Sequence, residues 1–172
     1  YSYFMQIGPF DRYEKDAVNG QTVNIVHYGA NKKVADYGGL EPRLNARFEI
    51  NSKSSVKASY TYNLQYIHLA SLSAVTLPTD TWVPCSELVK PQKGNQYSLG
   101  YFRNFKDNTY EASVEVYYKT LLNQIEYKDG SLPAGDVNDN ADNSFTFGKG
   151  EAYGIEFFLK KRLGKFNGWI GY

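Results

Sequence analysis

The chain has 172 residues and a formal net charge of +1, with 22% charged residues, so it has neither a basic nucleic-acid footprint nor an acidic tail. Aromatic residues reach 16%, with 16 Tyr and 10 Phe against a single Met, a mix that suits pleated strands better than helices. Mean hydropathy is -0.53 and apolar runs stay far below the roughly 20 residues a spanning helix needs. Helical membrane spans are thereby excluded. A spanning strand is not, because it needs only about 9–11 tilted residues with every second one apolar.

In chain order, Tyr1 to Ile7 reads as a strand with aromatic residues on both faces. Its first residues show no basic segment leading into an apolar one, so no secretory signal is read there. Gly8 to Asp36 reads as a long connection. Leu44, Ala46, Phe48 and Ile50 then alternate with Arg43, Asn45, Arg47 and Glu49, and a short turn, Asn51-Ser52-Lys53-Ser54, follows. From Val56 to Tyr66 the alternation is unbroken, with Ala58, Tyr60, Tyr62 and Leu64 on one face and Lys57, Ser59, Thr61, Asn63 and Gln65 on the other. Ala70 to Gly94 is a second long connection. It holds Cys85, whose being the sole cysteine excludes an internal disulfide and which reads as a free loop thiol.

Tyr97, Leu99 and Tyr101 next oppose Gln96, Ser98 and Gly100, ending near Phe105 in the short turn Lys106-Asp107-Asn108-Thr109. Tyr110, Ala112, Val114, Val116 and Tyr118 oppose Glu111, Ser113, Glu115 and Lys119. A third long connection spans Lys128 to Gly148. Tyr153, Ile155, Phe157 and Leu159 oppose Gly154, Glu156 and Lys160, and after Gly164-Lys165 the residues Gly168, Ile170 and Tyr172 repeat the pattern.

The polar faces carry charges that a closed core would not tolerate unpaired. One side of the sheet must therefore meet water and the other something apolar. No amphipathic helix of useful length is present to cover the apolar side. Short and long connections also alternate strictly, as in outer-membrane barrels with tight periplasmic turns and long extracellular loops. Structureless loops beyond about 12–15 residues are uncommon in soluble β domains. The fold expected is all-β, an antiparallel transmembrane β-barrel of which about seven strands are present. Tyr66, Tyr97, Tyr110, Tyr127 and Tyr153 mark strand ends, where Tyr suits a membrane–water interface. An odd strand count with a strand at each end cannot close, so residues 1-172 are expected to be a segment of a longer barrel.

Several runs carry a family resemblance: Gly39-Leu40-Glu41-Pro42-Arg43, Leu77-Pro78-Thr79-Asp80 with Trp82, and Lys90-Pro91-Gln92. So do Gln96-Tyr97-Ser98-Leu99-Gly100-Tyr101-Phe102, Glu115-Val116-Tyr117-Tyr118-Lys119 and Asn123-Gln124-Ile125-Glu126-Tyr127. Phe147-Gly148-Lys149-Gly150 through Ala152-Tyr153-Gly154-Ile155-Glu156 completes the set. Together they resemble the later barrel strands of TonB-dependent outer-membrane receptors, and within these the subgroup with an N-terminal carboxypeptidase-regulatory-like domain. The resemblance implies a Gram-negative outer-membrane location and a barrel of about 22 strands closed by a plug. It also implies import of a scarce nutrient such as an iron chelate, cobalamin, a glycan or a peptide, driven by the TonB complex through an N-terminal box. No plug domain, TonB box or signal peptide is read in these residues.

The partners implied are outer-membrane lipid, the receptor's own plug domain, the TonB complex and a small-molecule, glycan or peptide ligand, with no nucleic acid. Val56, Ala58, Tyr60, Leu64, Val114, Val116, Ile155 and Phe157 are expected to face lipid. Arg43, Arg47, Lys57, Glu111, Glu115 and Glu156 are expected to face the lumen and its plug. Tyr28, Tyr37 and Trp82 are candidate stacking platforms in the loops. Asp136, Asp139 and Asp142 invite a calcium reading, but their segment lacks the Gly at position six and the terminal Glu of an EF-hand loop. No metal or cofactor is assigned. His27 and His68 are the only imidazole bases, His27 in a loop and His68 at a strand end, where it reads as an interfacial residue. No HExxH, GxSxG or CxxC spacing accompanies them, so catalysis is not expected. A passive porin and a soluble β-rich binding or adhesion domain are the alternatives. The first would lack a plug, and the second would need another apolar layer.

Overall fold

The computed structural model describes residues 1–16, 18, 20–70, 80–129 and 140–172. Its strands are β1 (Ser2–Ile7), β2 (Phe10–Lys15), β3 (Thr22–Tyr28), β4 (Lys33–Gly39), β5 (Arg43–Asn51) and β6 (Ser54–Gln65). They continue with β7 (Ile67–Ala70), β8 (Thr81–Pro84), β9 (Gln92–Phe105), β10 (Tyr110–Tyr127), β11 (Phe145–Lys161) and β12 (Gly168–Gly171). A single 3-10 turn, Ala141–Ser144, precedes β11.

Every segment expected to be a strand is one. The described residues hold five more: β2 and β3 lie within the first stretch read from sequence as a long connection and β4 runs out of its end, while β8 lies within the second and β7 leads into it. Two of these stretches are therefore hairpins rather than open loops. The residues of β2 and β3 alternate poorly: β2 has only Phe10 and Tyr13 as large apolar residues, and β3 is broken by Val26 next to Ile25. Backbone pairing forms this hairpin, and a binary pattern does not register it.

The chain divides into two compact units. One comprises Glu41–Asn63, Gly94–Leu121 and Gly150–Tyr172, and here β5, β6 and β9 to β12 form an antiparallel sheet ordered β12-β11-β10-β9-β6-β5. The turns joining β5 to β6, β9 to β10 and β11 to β12 lie at one end of this meander. In the β9–β10 turn, Lys106, Asp107 and Asn108 take φ of 46, 54 and 65°, which explains the Asp-Asn composition there. The turns are stitched together by Asn104 N–H to the Lys53 carbonyl and Arg162 N–H to the Thr109 carbonyl, both at 2.8 Å.

Register keeps the two faces separate. Phe48 lies opposite Val56, Ala46 opposite Ala58 and Leu44 opposite Tyr60, while Arg47 lies opposite Lys57 and Asn45 opposite Ser59. A slip of one residue would mix them. Exposure then runs opposite to that of a water-soluble sheet. On β10, Val114, Val116 and Tyr118 are exposed, while Ser113 is buried and Glu115 and Tyr117 are half-buried. Phe48 is 70% exposed and Ile155 51%, and the buried apolar residues of the described chain all fall in the other unit. Among the described residues of this unit the apolar face is left exposed, as a lipid-facing wall requires. Among the described residues no helix is long and apolar enough to cross a membrane.

The other unit comprises Tyr1–Leu40, Leu64–Lys93 and Leu122–Lys149. Its two-stranded sheets pair β1 with β4, β2 with β3 and β7 with β8. The buried cluster is Ala70, Val83, Val89 and Phe145, with Ile125 and Tyr127 packed against it. β7 and β8 alternate: His68, Ala70 and Val83 face inward, and Ile67, Leu69 and Trp82 face outward.

Candidate functional site

In the hairpin unit, the β2–β3 hairpin stands beside the connections before β9 and β11. Arg12 on β2 holds carboxylates on both sides, Glu14 on its own strand and Glu87 in the β8–β9 connection. Glu87 raises the Arg12 guanidinium further above its ordinary value, so this cation stays charged. Asn24 on β3 donates to Glu14 at 2.9 Å and, with Arg12, holds that carboxyl below its usual range. The free edge of β2 is then satisfied by side chains, as an unpaired strand edge requires. Tyr13 N–H donates to Asn140 Oδ1 at 2.7 Å, Asn140 Nδ2 donates to the Asp11 carbonyl at 2.9 Å, and Asn143 Nδ2 donates to the Tyr13 carbonyl at 3.0 Å. The 3-10 turn from Ala141 to Ser144 brings these two asparagines to the strand.

The latched hairpin lines a cleft of about 710 Å³ with Arg12, Tyr13, Lys15, Asp16, Lys128 and Asn143 among its walls. Lys128 Nζ donates to the Asn143 carbonyl at 2.8 Å, which fixes an ammonium group at the rim. The walls offer cations, carboxylates, an amide and a phenol. That chemistry suits a polar ligand with many hydrogen bonds and is unsuited to an apolar one.

The three aromatic candidates have different fates. Tyr28 donates to Glu87 at 3.2 Å, and Tyr37 donates to the Ser86 carbonyl at 2.6 Å, so both hydroxyls brace the β8–β9 connection. Trp82 lies opposite Leu69 on the outward face of the β7–β8 hairpin and is 65% exposed. The structure thus joins Tyr28 and Tyr37 through neighbouring residues and leaves Trp82 apart. Arg12, Glu87, Lys128, Asn140 and Asn143 were not singled out from sequence. The contacts Asn140 and Asn143 make lie 127–130 positions away along the chain, which no local pattern reports.

Other expectations need correction. His27 lies on β3, not in a loop, and its Nδ1 meets Asp11. His68 is not interfacial but fully buried, with Nε2 3.3 Å from Cys85 Sγ. Cys85 is a free thiol in the β8–β9 connection, as expected, but it is fully buried, and burial pushes its thiol up to about 12. Tyr127, which ends β10 as expected, is partly buried and packs against the buried cluster, its ring centroid 5.0 Å from that of Phe145. Asp136 and Asp139 lie outside the described residues. Asp142 accepts a bond from the Ser86 hydroxyl. Among the described residues no three metal-ligating side chains converge.

The polar face of the sheet unit carries the charges read from sequence as lumen-facing. Arg43 and Arg47 lie on β5, Lys57 on β6, Glu111 and Glu115 on β10 and Glu156 on β11. Arg47 and Lys57 are directly opposite, an unfavourable pairing. They relieve it by turning apart, Arg47 to Glu49 at 3.2 Å and Lys57 over the Phe102 ring at 4.2 Å. A hollow of about 510 Å³ brings together Glu111, Glu115 and Glu156 with Phe102 and Phe158.

No curated protein and no solved structure matches the chain. A family model described as TonB dependent receptor-like, beta-barrel, matches residues 9–172. That family is one of outer-membrane receptors and transporters of Gram-negative bacteria. An antiparallel sheet with its apolar face bare, short turns at one end and long connections folded into hairpins agrees with the match, and the chain belongs to the TonB-dependent receptor β-barrel family.

Proposed function

We propose that the cleft beside the β2–β3 hairpin is the ligand-recognition site of a receptor importing a scarce, polar and bulky nutrient: an iron chelate, cobalamin, a glycan or a peptide. The observation that carries this is the latch itself. Arg12–Glu87 and the bonds from Asn140 and Asn143 to β2 fix a hairpin beside a polar-walled space, and binding residues concentrate on loops held by a rigid scaffold. Lys128, Lys15 and Tyr13 contact the ligand. Tyr28 and Tyr37 hold the wall behind it, and Trp82 serves as an outlying stacking platform.

Residues 1-172 supply wall and loops of the barrel domain. Arg43, Arg47, Lys57, Glu111, Glu115 and Glu156 face the lumen, where they meet complementary charge on the receptor's plug domain. The TonB complex acts through the N-terminal part of the receptor, which in this reading carries a carboxypeptidase-regulatory-like domain. A passive channel would share the strands but would not need energy.

The test is uptake by cells carrying or lacking the receptor, offered iron chelates, cobalamin, oligosaccharides and short peptides, with and without a protonophore. Receptor-dependent uptake of one class that stops with the protonophore and weakens in Lys128→Ala supports the reading. Uptake indifferent to the protonophore would sink it in favour of a passive pore.

A further inference from the structure

At the turn end of the sheet unit, cations collect on the face that carries the apolar residues. Lys161 shares the face of Leu159, since Leu159 pairs with Ile170 and Lys161 with Gly168. Tyr110 opens the β10 face that continues through Ala112 and Val114, and Arg103 shares the β9 face of Tyr101 and Phe105. Lys106 Nζ and Lys161 Nζ both stand over the Tyr110 ring, 5.7 and 6.0 Å from its centroid. The Arg103 guanidinium stands over Phe105 at 5.0 Å.

What these three cations do not hold is a carboxylate. Among the described residues, the neighbouring cations Lys53 and Arg162 pair with Asp107 at 3.5 Å and Glu111 at 3.8 Å. Arg103, Lys106 and Lys161 have aromatic rings instead. Cations on long apolar stems, resting on rings beside a bare apolar face, sit at the depth where hydrocarbon gives way to headgroups. There they lack an anion among the described residues.

We propose that Lys106 and Lys161 around Tyr110, with Arg103 on Phe105, bind the phosphate of an anionic phospholipid. The rings lie beneath its glycerol and upper acyl chain. Short turns mark the periplasmic side, and the leaflet there is built of phospholipid, so the occupant is a phosphatidylglycerol-type lipid. The site is independent of the cleft and of the nutrient imported.

The full-length receptor, reconstituted in mixed phosphatidylcholine and phosphatidylglycerol vesicles, is extracted gently and its retained lipid read by native mass spectrometry. Wild type should retain phosphatidylglycerol in excess of its share. Lys106→Gln with Lys161→Gln should lower that excess about thirty-fold, from about 1 kcal/mol per cation near an anionic surface. Lys53→Gln should leave it unchanged. Heat-modifiable gel migration checks that each variant is folded, and single Lys161→Gln with a salt titration of wild type gives a second reading if the double variant is not. No excess in wild type, an excess that survives both substitutions, or one abolished by an equal concentration of inorganic phosphate or preferred by lipid A would overturn the proposal.

Discussion

Phe157 and Glu156 are adjacent on β11 and belong to opposite faces of the sheet, so one charge placed at each position separates lipid from water within a single strand. Tyr153 and Lys161 mark the two ends of the outward face. The strand between them is about 27 Å long at roughly 3.4 Å per residue, or about 21 Å along the membrane normal at a tilt of about 40°. Phe157 is midway, and at 46% exposure its ring has little protein cover. Its environment is then the bilayer midplane, where a Lys costs about 2–4 kcal/mol. Glu156→Lys stays on the polar face, beside the hollow shared with Glu111 and Glu115, and should cost less than about 1 kcal/mol. The assay is reversible denaturant titration of the full-length receptor folded into phosphatidylcholine vesicles, followed by tryptophan fluorescence. Equal costs for the two substitutions, or no cost for Phe157→Lys, would refute the assignment of faces.

Three further outcomes follow from packing and burial. A Cβ at Gly154 would meet Tyr117 ring atoms at 2.9 Å, so Gly154→Ala should destabilise the sheet by about 1–3 kcal/mol, with Tyr117→Ala relieving most of it in a double-mutant cycle. Cys85, fully buried with its thiol pushed up to about 12, should resist maleimide at neutral pH in the folded receptor and react fully once unfolded; rapid labelling of folded protein would contradict its burial. Burial raises Asp142 above the ordinary carboxylate value, a shift that the bond from Ser86 only partly offsets. Because the folded value is raised, the stability this group contributes is full below about 3.9 and is lost as pH rises through the folded value. Asp142→Asn should therefore protect the β2–β3 hairpin amides from hydrogen exchange at neutral pH and have little effect in acid, and weaker protection at neutral pH would count against the burial cost.

The sheet was legible because its information is local. Alternation along Arg43 to Gln65 assigns each side chain to a face, and the Phe48–Val56 and Arg47–Lys57 pairs only complete it. The same alternation failed in the long connections, where β2 and β3 pair through backbone and carry mixed side chains. One signal was present there: Gly20, with a φ of 69°, lies between Phe10–Lys15 and Thr22–Tyr28, where a turn calls for such a residue. His68 shows the reverse limit. As a polar residue at a strand end it reads as interfacial, yet the β7–β8 pairing turns it inward onto Cys85.

By itself, then, the sequence determined the fold class, the two faces of the sheet and which ends carry turns, because strand periodicity writes these into neighbouring residues. Only the tertiary structure decided the cleft. Arg12, Glu87, Asn140 and Asn143 are ordinary polar residues in four separate stretches. They become a latch because chain folding brings a strand edge with unmet hydrogen bonds against side chains that can meet them.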